Sequence, residues 1–331
     1  MSENKKWIFI CDESGAKGFS DKPAEEEPIG VVAGFLLKDE EFSKLEKDVQ
    51  SIREKYETDE GKLHITDLSK EDQEGIRGDV FELIKQSSGH VVYEAITQDG
   101  FHEWYRVEKK FWDNLKAGKK ATGYGYTFDD HKKRLQTMLS LGCVMRTTAF
   151  LADYYVGIYE FSIQMLTDMI DEKILDEIDS EVANFLNFSP HRKHEVTASR
   201  FDYKNKKVEK ASGTIEFDIK DTNGTFAPMT DVAFSIEIDT TYDIIADILS
   251  NSIRYYLLES FKKNNGIVLT SDKAISNHPL KNKMVSLTPE GGYDFMQSLY
   301  SFPVGEEEID SGDMRMPEDF AENIKFTPDE E

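Results

Sequence analysis

Cysteine is scarce: Cys11 and Cys143 are the two in 331 residues. They are too few and too far apart for a disulfide framework or a zinc-ligand pattern, so both read as buried, reduced thiols. Proline is also scarce, with 9 residues, while 39% of the chain is hydrophobic and 11% aromatic. That balance excludes wholesale disorder and a collagen-like chain, and the length suits one large domain or two ordinary ones. No uncharged apolar run approaches the roughly 18 residues of a membrane span. The polar start, Met1 to Lys6, is followed by no signal-like apolar segment. The expectation is a soluble, cytoplasmic protein with no membrane partner. Familiar catalytic loops are missing too: there is no Walker loop, no G-x-G-x-x-G and no G-x-S-x-G elbow. His102-Glu103 begins like a zinc-protease helix, but Arg106 stands where the second histidine belongs.

An excess of basic residues is absent as well. Net charge is −24, and the segment 304–331 alone holds eleven acids against Arg315 and Lys325. Diffuse attraction to nucleic acid is therefore not expected. A nucleic-acid role has to rest on metal ions or on local basic patches at 116–120, 131–134, 191–194, 204–210 and 281–283. Each of these patches also reads as a solvated charged loop.

What the chain does contain is a pattern of strands and helices. Trp7 to Cys11 and Ile29 to Leu37 are continuous apolar runs suited to central strands, and they read as antiparallel neighbours. Asp39 to Tyr56 carries Phe42, Leu45, Val49 and Ile52 at helical spacing, and Lys70 to Gln86 carries Ile76, Val80, Leu83 and Ile84. Val91 to Thr97 reads as a third strand. The stretch 100–188 reads as helical almost throughout, with Tyr155, Tyr159, Leu166 and Ile170 as its stripe. Strand character returns at Glu195 to Tyr203, Thr214 to Ile219 and Val232 to Asp239, followed by a long helix, Tyr242 to Phe261. Ile267 to Thr270 reads as a short edge strand and Tyr293 to Leu299 as a short helix. The fold expected is α/β, a mixed sheet flanked by helices. Residues 1–303 form the domain, with a large helical insertion at about 100–190, and 304–331 form an acidic tail.

Two features point to chemistry. Asp12-Glu13 ends the most apolar strand, where a carboxylate costs several kcal/mol (roughly 2–7 for an uncompensated polar group) unless it is paired, hydrogen-bonded or bound to a cation. The plain alternative is a turn in which Asp12 accepts from the amides of Ser14 and Gly15. On the late helix, Asp243, Asp247 and Asn251 recur every four residues in one row. The helix dipole accounts for Asp243 in the first turn, but less well for Asp247, which lies among Ile244, Ile245, Ala246, Ile248 and Leu249. A strand-end acid and a helix acid docked on the same sheet suit a two-metal phosphoryl-transfer site, because Mg²⁺ or Mn²⁺ takes hard oxygen ligands from distant segments. Glu13 points away from Asp12 along an extended chain and is a second choice as ligand. Asp202 and Asp239 end strand-like runs, and each is either a further ligand or a turn aspartate. His64 reads as a proton shuttle or phosphate contact, or as a surface or capping histidine.

WIFICDESG, IGVVAGFLL, KLHITDL and TYDIIADILSNSIRYYL, in that order over residues 7–261, resemble the bacterial family known as domain of unknown function 3800. The resemblance implies a ribonuclease H-like fold and a metal-dependent nuclease, hydrolysing DNA or RNA, of the kind encoded by phages or mobile-element defence loci. Asp12 matches the family's strand-ending aspartate, Asp247 its late Ala-Asp element and His64 the histidine of its middle element. Lys62 stands where the family has a glutamate ligand, and Asp243 where it has a glutamine, so the ligand set implied is Asp12, Asp247 and Asp243. Two rival readings remain open. One is a non-catalytic ribonuclease H-like interaction module with a degenerate metal site, acting with a protein partner or as a homo-oligomer. The other is an enzyme that processes nucleotides or other small phosphates.

Overall fold

The computed structural model describes residues 5–16, 18–19, 27–56, 65, 68–104, 131–154, 160–168, 171–186, 193–202, 207–216, 232–285, 299–301 and 324–325. They fall into two compact units, the first drawn from Met1–Phe101, His131–Ala183 and Asp231–Val304. In it the strands are β1 (Lys6–Gly15), β2 (Ile29–Lys38), β3 (His90–Thr97), β4 (Phe161–Thr167) and β7 (Val232–Ile238). The principal helices are α1 (Asp39–Lys55), α2 (Lys70–Gln86), α3 (His131–Tyr154), α4 (Glu172–Leu186) and α5 (Asp243–Lys263). The second unit holds β5 (Lys193–Asp202), β6 (Lys207–Glu216) and β8 (Ile324–Lys325), paired antiparallel in the order β5-β6-β8.

The five strands of the first unit run β3-β2-β1-β4-β7. β1, β2 and β3 are successively antiparallel, whereas β4 lies parallel to β1 and β7 parallel to β4. The α/β class and the mixed, helix-flanked sheet are as the sequence predicts. β1 and β2 are buried almost end to end, which explains their unbroken apolar runs. Side chains alternate across β1: Ile8 and Ile10 join the core beneath α5, α1 and α2, with Val31, Ala33 and Phe35 from β2. α3 packs on β2 and β3, and Cys143 of this helix donates its thiol to the Val32 carbonyl at 3.5 Å.

Local sequence explains the ends of these helices. α1 begins without a side-chain cap, but Asp39, Glu40 and Glu41 in its first turn and Arg53 and Lys55 in its last complement the helix dipole. α2 is capped by Ser69, whose side chain accepts from the Asp72 amide. α5 stops where Asn265 and Gly266 take positive φ, a turn that lets the Gly266 amide reach the Phe261 carbonyl at 2.9 Å.

Two expected elements differ. Residues 161–167 are not helical but form β4 in the sheet, beside β1. Phe161, Ile163 and Met165 are buried and Ser162 and Gln164 are half-buried, a period of two rather than 3.6. Ile267–Thr270 is not a strand; it follows the α5 terminus as irregular chain. Of the predicted Tyr293–Leu299 helix only Leu299 lies among the described residues, and it opens a short 3₁₀ turn. Most of the acidic segment 304–331 lies outside them.

Candidate metal centre

β1 outruns β4. Its last pairing with β4 is Cys11 with Thr167, while its pairing with β2 continues as far as Gly15. Past Cys11, one side of β1 thus has no neighbouring strand among the described residues. β1 and β4 run parallel, so the carboxyl ends of both meet at this step, the place where open α/β sheets gather ligands. Asp12 follows Cys11, and Asp168 follows Thr167. Oxygens of Asp12, Glu13 and Asp168 all lie within 4.8 Å of one another, and both aspartates are buried.

Each acid is aimed by its element. Asp12 lies on the α5 side of the sheet, as Ile8 and Ile10 do, and its Oδ1 accepts from the Glu13 amide at 2.8 Å. Glu13 lies on the α3 side, where Gln136 donates to its Oε1 at 3.2 Å. The sequence rule that sends Glu13 away from Asp12 holds for the strand faces. At the open step, however, the two carboxylates still come within reach of each other. Asp247 approaches from α5. Its Oδ2 accepts from the Ile65 amide at 2.7 Å and its Oδ1 from Asn251 Nδ2 at 2.6 Å. Asn251 Oδ1 in turn accepts from Ser14 Oγ at 3.1 Å, tying the helix to the strand end.

The electrostatics follow from this crowding. Burial comes first in pushing the Asp12 carboxyl far above its ordinary value of 3.8. The charge of Asp168, a side-chain hydrogen bond to it, and the charges of Glu13 and Asp247 push the same way. Asp12, Glu13 and Asp168 thus converge, with the charge of Asp247 felt at Asp12. Cys11, next in the strand, is a buried thiol raised well above 9.0 by burial first, then by Cys143 and by the charges of Asp12, Glu13 and Asp168, so it is inert rather than nucleophilic.

The other predicted site residues fall elsewhere. Asp243, though one turn from Asp247, is ion-paired with Arg53 of α1 and is not part of the acid cluster. Its side chain is spoken for by a guanidinium that also donates to the Thr240 carbonyl at 3.0 Å. Asp239 accepts from the Thr241 amide at 2.7 Å, the turn role, while its own amide donates to the Thr167 carbonyl at 3.0 Å. Asp202 ends β5 in the second unit, in register with Lys207. His64 and Lys62 lie outside the described residues; the neighbour of His64, Ile65, is the one that anchors Asp247.

Asp168 is the acid that sequence reasoning missed, because it was hidden behind a segment read as helix. The alternation of Phe161, Ile163 and Met165 followed by an aspartate repeats the logic of Trp7–Asp12 and was the available signal. Among the basic patches, Arg134 lies 3.6 and 3.8 Å from Glu177 and Glu181, and Lys283 donates to the Ser87 carbonyl. No helix among the described residues is long and apolar enough to cross a membrane.

Compared with known families and with curated proteins, the chain matches no family model and no curated sequence. The site itself therefore has to carry the functional argument. Its donor set is all hard oxygen and mutually close, with both aspartates buried and Glu13 half-buried, which suits a divalent cation. The cluster of Asp12, Glu13 and Asp168, with Asp247 beside it, is able to hold a metal ion.

Proposed function

We propose that this protein is a divalent-metal-dependent nuclease, hydrolysing phosphodiester bonds of DNA or RNA with Mg²⁺ or Mn²⁺ on a ribonuclease H-like domain. The observation that carries this reading is the convergence of oxygens from Asp12, Glu13 and Asp168 within 4.8 Å at the step between β1 and β4. Supporting it is the strand arrangement, three antiparallel strands followed by two parallel to the first, which agrees with the family resemblance. Two of the acids that the resemblance implies, Asp12 and Asp247, take part, and Asp168 stands in for the glutamate that Lys62 replaces.

Asp12, Asp168 and Asp247 are the residues that would hold metal, with Glu13 alongside. A divalent cation there supplies Lewis-acid stabilisation of phosphoryl oxygens and a more acidic bound water. The chain contributes orientation. Asn251 and the Ile65 amide fix both oxygens of Asp247, and Gln136 steers Glu13.

The test is cleavage of a panel of single- and double-stranded DNA and RNA with Mg²⁺ or Mn²⁺, with a chelator control and the Asp12→Asn and Asp168→Asn variants alongside. Wild type should cut at least one polymer only when metal is present, and both variants should be inactive. Equal cutting by wild type and variants overturns the assignment. Manganese binding without cleavage of any polymer would favour the non-catalytic module.

A further inference from the structure

We infer that Arg254 binds a backbone phosphate of the nucleic acid next to the one being cut, so that the site selects a polymer rather than a free nucleotide. The inference rests on the nuclease reading and deepens it.

Arg254 continues the row of α5 that carries Asp247 and Asn251, standing seven and three residues further along the helix. Its side chain lies over Gly15, the residue that ends β1. A Cβ at position 15 would sit 2.7 Å from Arg254 Nε and 2.9 Å from its Cδ. Gly15 also has φ +84, and a Cβ there would collide with the Ile29 carbonyl oxygen, so glycine is required there on two counts. The Arg254 side chain packs against this bare backbone. Ser14, between Gly15 and the acids, is tied to Asn251. Asp247, Asn251, Ser14, Gly15 and Arg254 thus form one continuous wall leading away from the metal centre.

Two independent rulers give the length of that wall. Asp12 and Gly15 are three residues apart on an extended strand, about 10 Å. Asp247 and Arg254 are seven residues apart on a helix, also about 10 Å along its axis. With the Arg254 side chain lying over Gly15, that spacing suits a phosphate flanking, along the same strand, the one held at the acids.

Arg254 is also available. Its ion-pair partner is Glu27, at 3.5 Å, and the Glu27 side chain is 54% exposed against 24% for Arg254. A pair at the solvent edge of this kind is weak and easily exchanged. A phosphodiester offers the guanidinium a better, bidentate acceptor. In a chain of net charge −24, a cation at this position gives an incoming backbone something to hold besides metal. Glu27 then acts as a placeholder.

The experiment uses the full chain with Ca²⁺ in place of the catalytic ion, so that binding is separated from cutting. Short labelled single-stranded DNA and RNA oligonucleotides are titrated at several salt concentrations with wild type, Arg254→Gln, Arg254→Lys and Glu27→Gln. Arg254→Gln should weaken binding about tenfold at 0.1 M salt and reduce the slope of log K against log salt by about one charge. Arg254→Lys should restore the slope with only part of the affinity, and Glu27→Gln should tighten binding. Manganese titration and melting of Arg254→Gln serve as folding controls and should match wild type. An unchanged affinity and slope in Arg254→Gln, with wild type still cutting polymer, overturns this inference and leaves the nuclease reading intact. If wild type neither binds nor cuts either polymer, both fall together.

Discussion

Asp243 and Asp247 stand one turn apart on the same helix, both nearly inaccessible to solvent, yet they meet opposite fates. Asp243 finds its counter-charge within the protein, in Arg53. Asp247 accepts from two N–H donors, and its charge adds to those of the acids around Asp12. A third buried acid, Glu94 on β3, sides with Asp243: Arg146 donates to it at 3.0 Å, and the Ala95 and Leu299 amides at 3.1 and 2.6 Å. Burial of an acid is therefore no sign of function in this molecule. What distinguishes the candidate site is that carboxylate oxygens of three residues converge within 4.8 Å.

The largest expected effect follows from removing one of those converging carboxylates. Asp12→Asn and Asp168→Asn should lower metal-dependent cleavage at least about 100-fold, since even outer partners of metal ligands cost 10–100-fold. The same variants should melt higher than wild type in chelator, because one of the crowded carboxylates is gone. The Asp12 carboxyl is raised above 3.8 in the folded chain. Its stabilising share is thus complete below that value and is lost as pH climbs, when the folded chain must either keep a proton that the unfolded chain releases or bear the repulsion. Added Mn²⁺ should therefore raise the melting temperature of wild type more at pH 8 than at pH 5, and should do little for Asp12→Asn. Melting curves with and without chelator at both pH values decide it. A variant that melts lower than wild type in chelator would show Asp12 to be structural, like Asp243.

The opposite behaviour is expected one turn away. Asp243→Ala leaves Arg53 partly buried without its acid and should cost on the order of 3 kcal/mol by urea denaturation. Replacing both partners with apolar residues, Asp243→Leu with Arg53→Met, should recover much of that loss. Manganese affinity in both should stay at the wild-type level. A large drop in metal affinity, beyond what lower stability explains, would return Asp243 to the ligand set.

This contrast marks how far the sequence could be read. The sequence marks Asp12 because an acid at the end of WIFIC needs either a turn or a partner, and Asp247 because five apolar residues surround it. The row of Asp243, Asp247 and Asn251 was legible as geometry. Which acid would meet a guanidinium was not, because Arg53 lies 190 residues earlier and reaches Asp243 only when α1 packs near the start of α5. Asp168 was lost for a different reason. Surrounding aromatic and aliphatic residues supported a helical reading of 100–188, and a seven-residue strand holds too few side chains to outvote it. β4 acquires its identity by pairing with β1 and β7 on both edges, which is a tertiary event. Glu13 shows a third limit. Strand periodicity assigned its face correctly, but only the mismatch in length between β1 and β4 brings its carboxylate near Asp12.

A buried histidine tests the same contrast with the sign reversed. His278 packs against Phe81 and Tyr256, with ring centroids 5.6 and 4.8 Å away. Its Nδ1 accepts from the Leu280 amide at 3.1 Å, which leaves Nε2 as the protonated nitrogen facing Ser252 Oγ at 2.9 Å. Burial pulls its pKa down from 6.5 to about 4. Between those values the unfolded chain binds a proton that the folded chain refuses. The stability is present above pH 6.5 and falls as pH drops toward 4. At pH 5 the loss should be about 2 kcal/mol relative to pH 7.5, read from urea midpoints. His278→Gln should flatten that part of the profile while leaving the rise in metal-dependent stabilisation toward alkaline pH. If the acid-side slope survives in His278→Gln, some other group is responsible for it.

The smallest effect calibrates the others. Asp72, at the start of α2, is an exposed acid whose carboxylate accepts from Ser69 Oγ at 2.6 Å while its amide donates back to that hydroxyl at 3.2 Å. The Ser69 hydroxyl and the helix N-terminus stabilise this exposed acid, which needs neither an arginine nor a cation. Ser69→Ala should cost about 1 kcal/mol of stability, with manganese affinity and its pH dependence unchanged. Measured on the same preparation, that value separates the cost of a lost surface cap from the cost of a lost internal counter-charge at Asp243. An effect at Ser69 as large as that at Asp243 would mean that α2 supports the core more broadly than its cap. The neighbouring Ile65–Asp247 bond would then be the first place to look, because the chain from Ile65 leads directly into this helix, with the Leu68 amide donating to the Ile65 carbonyl at 3.3 Å.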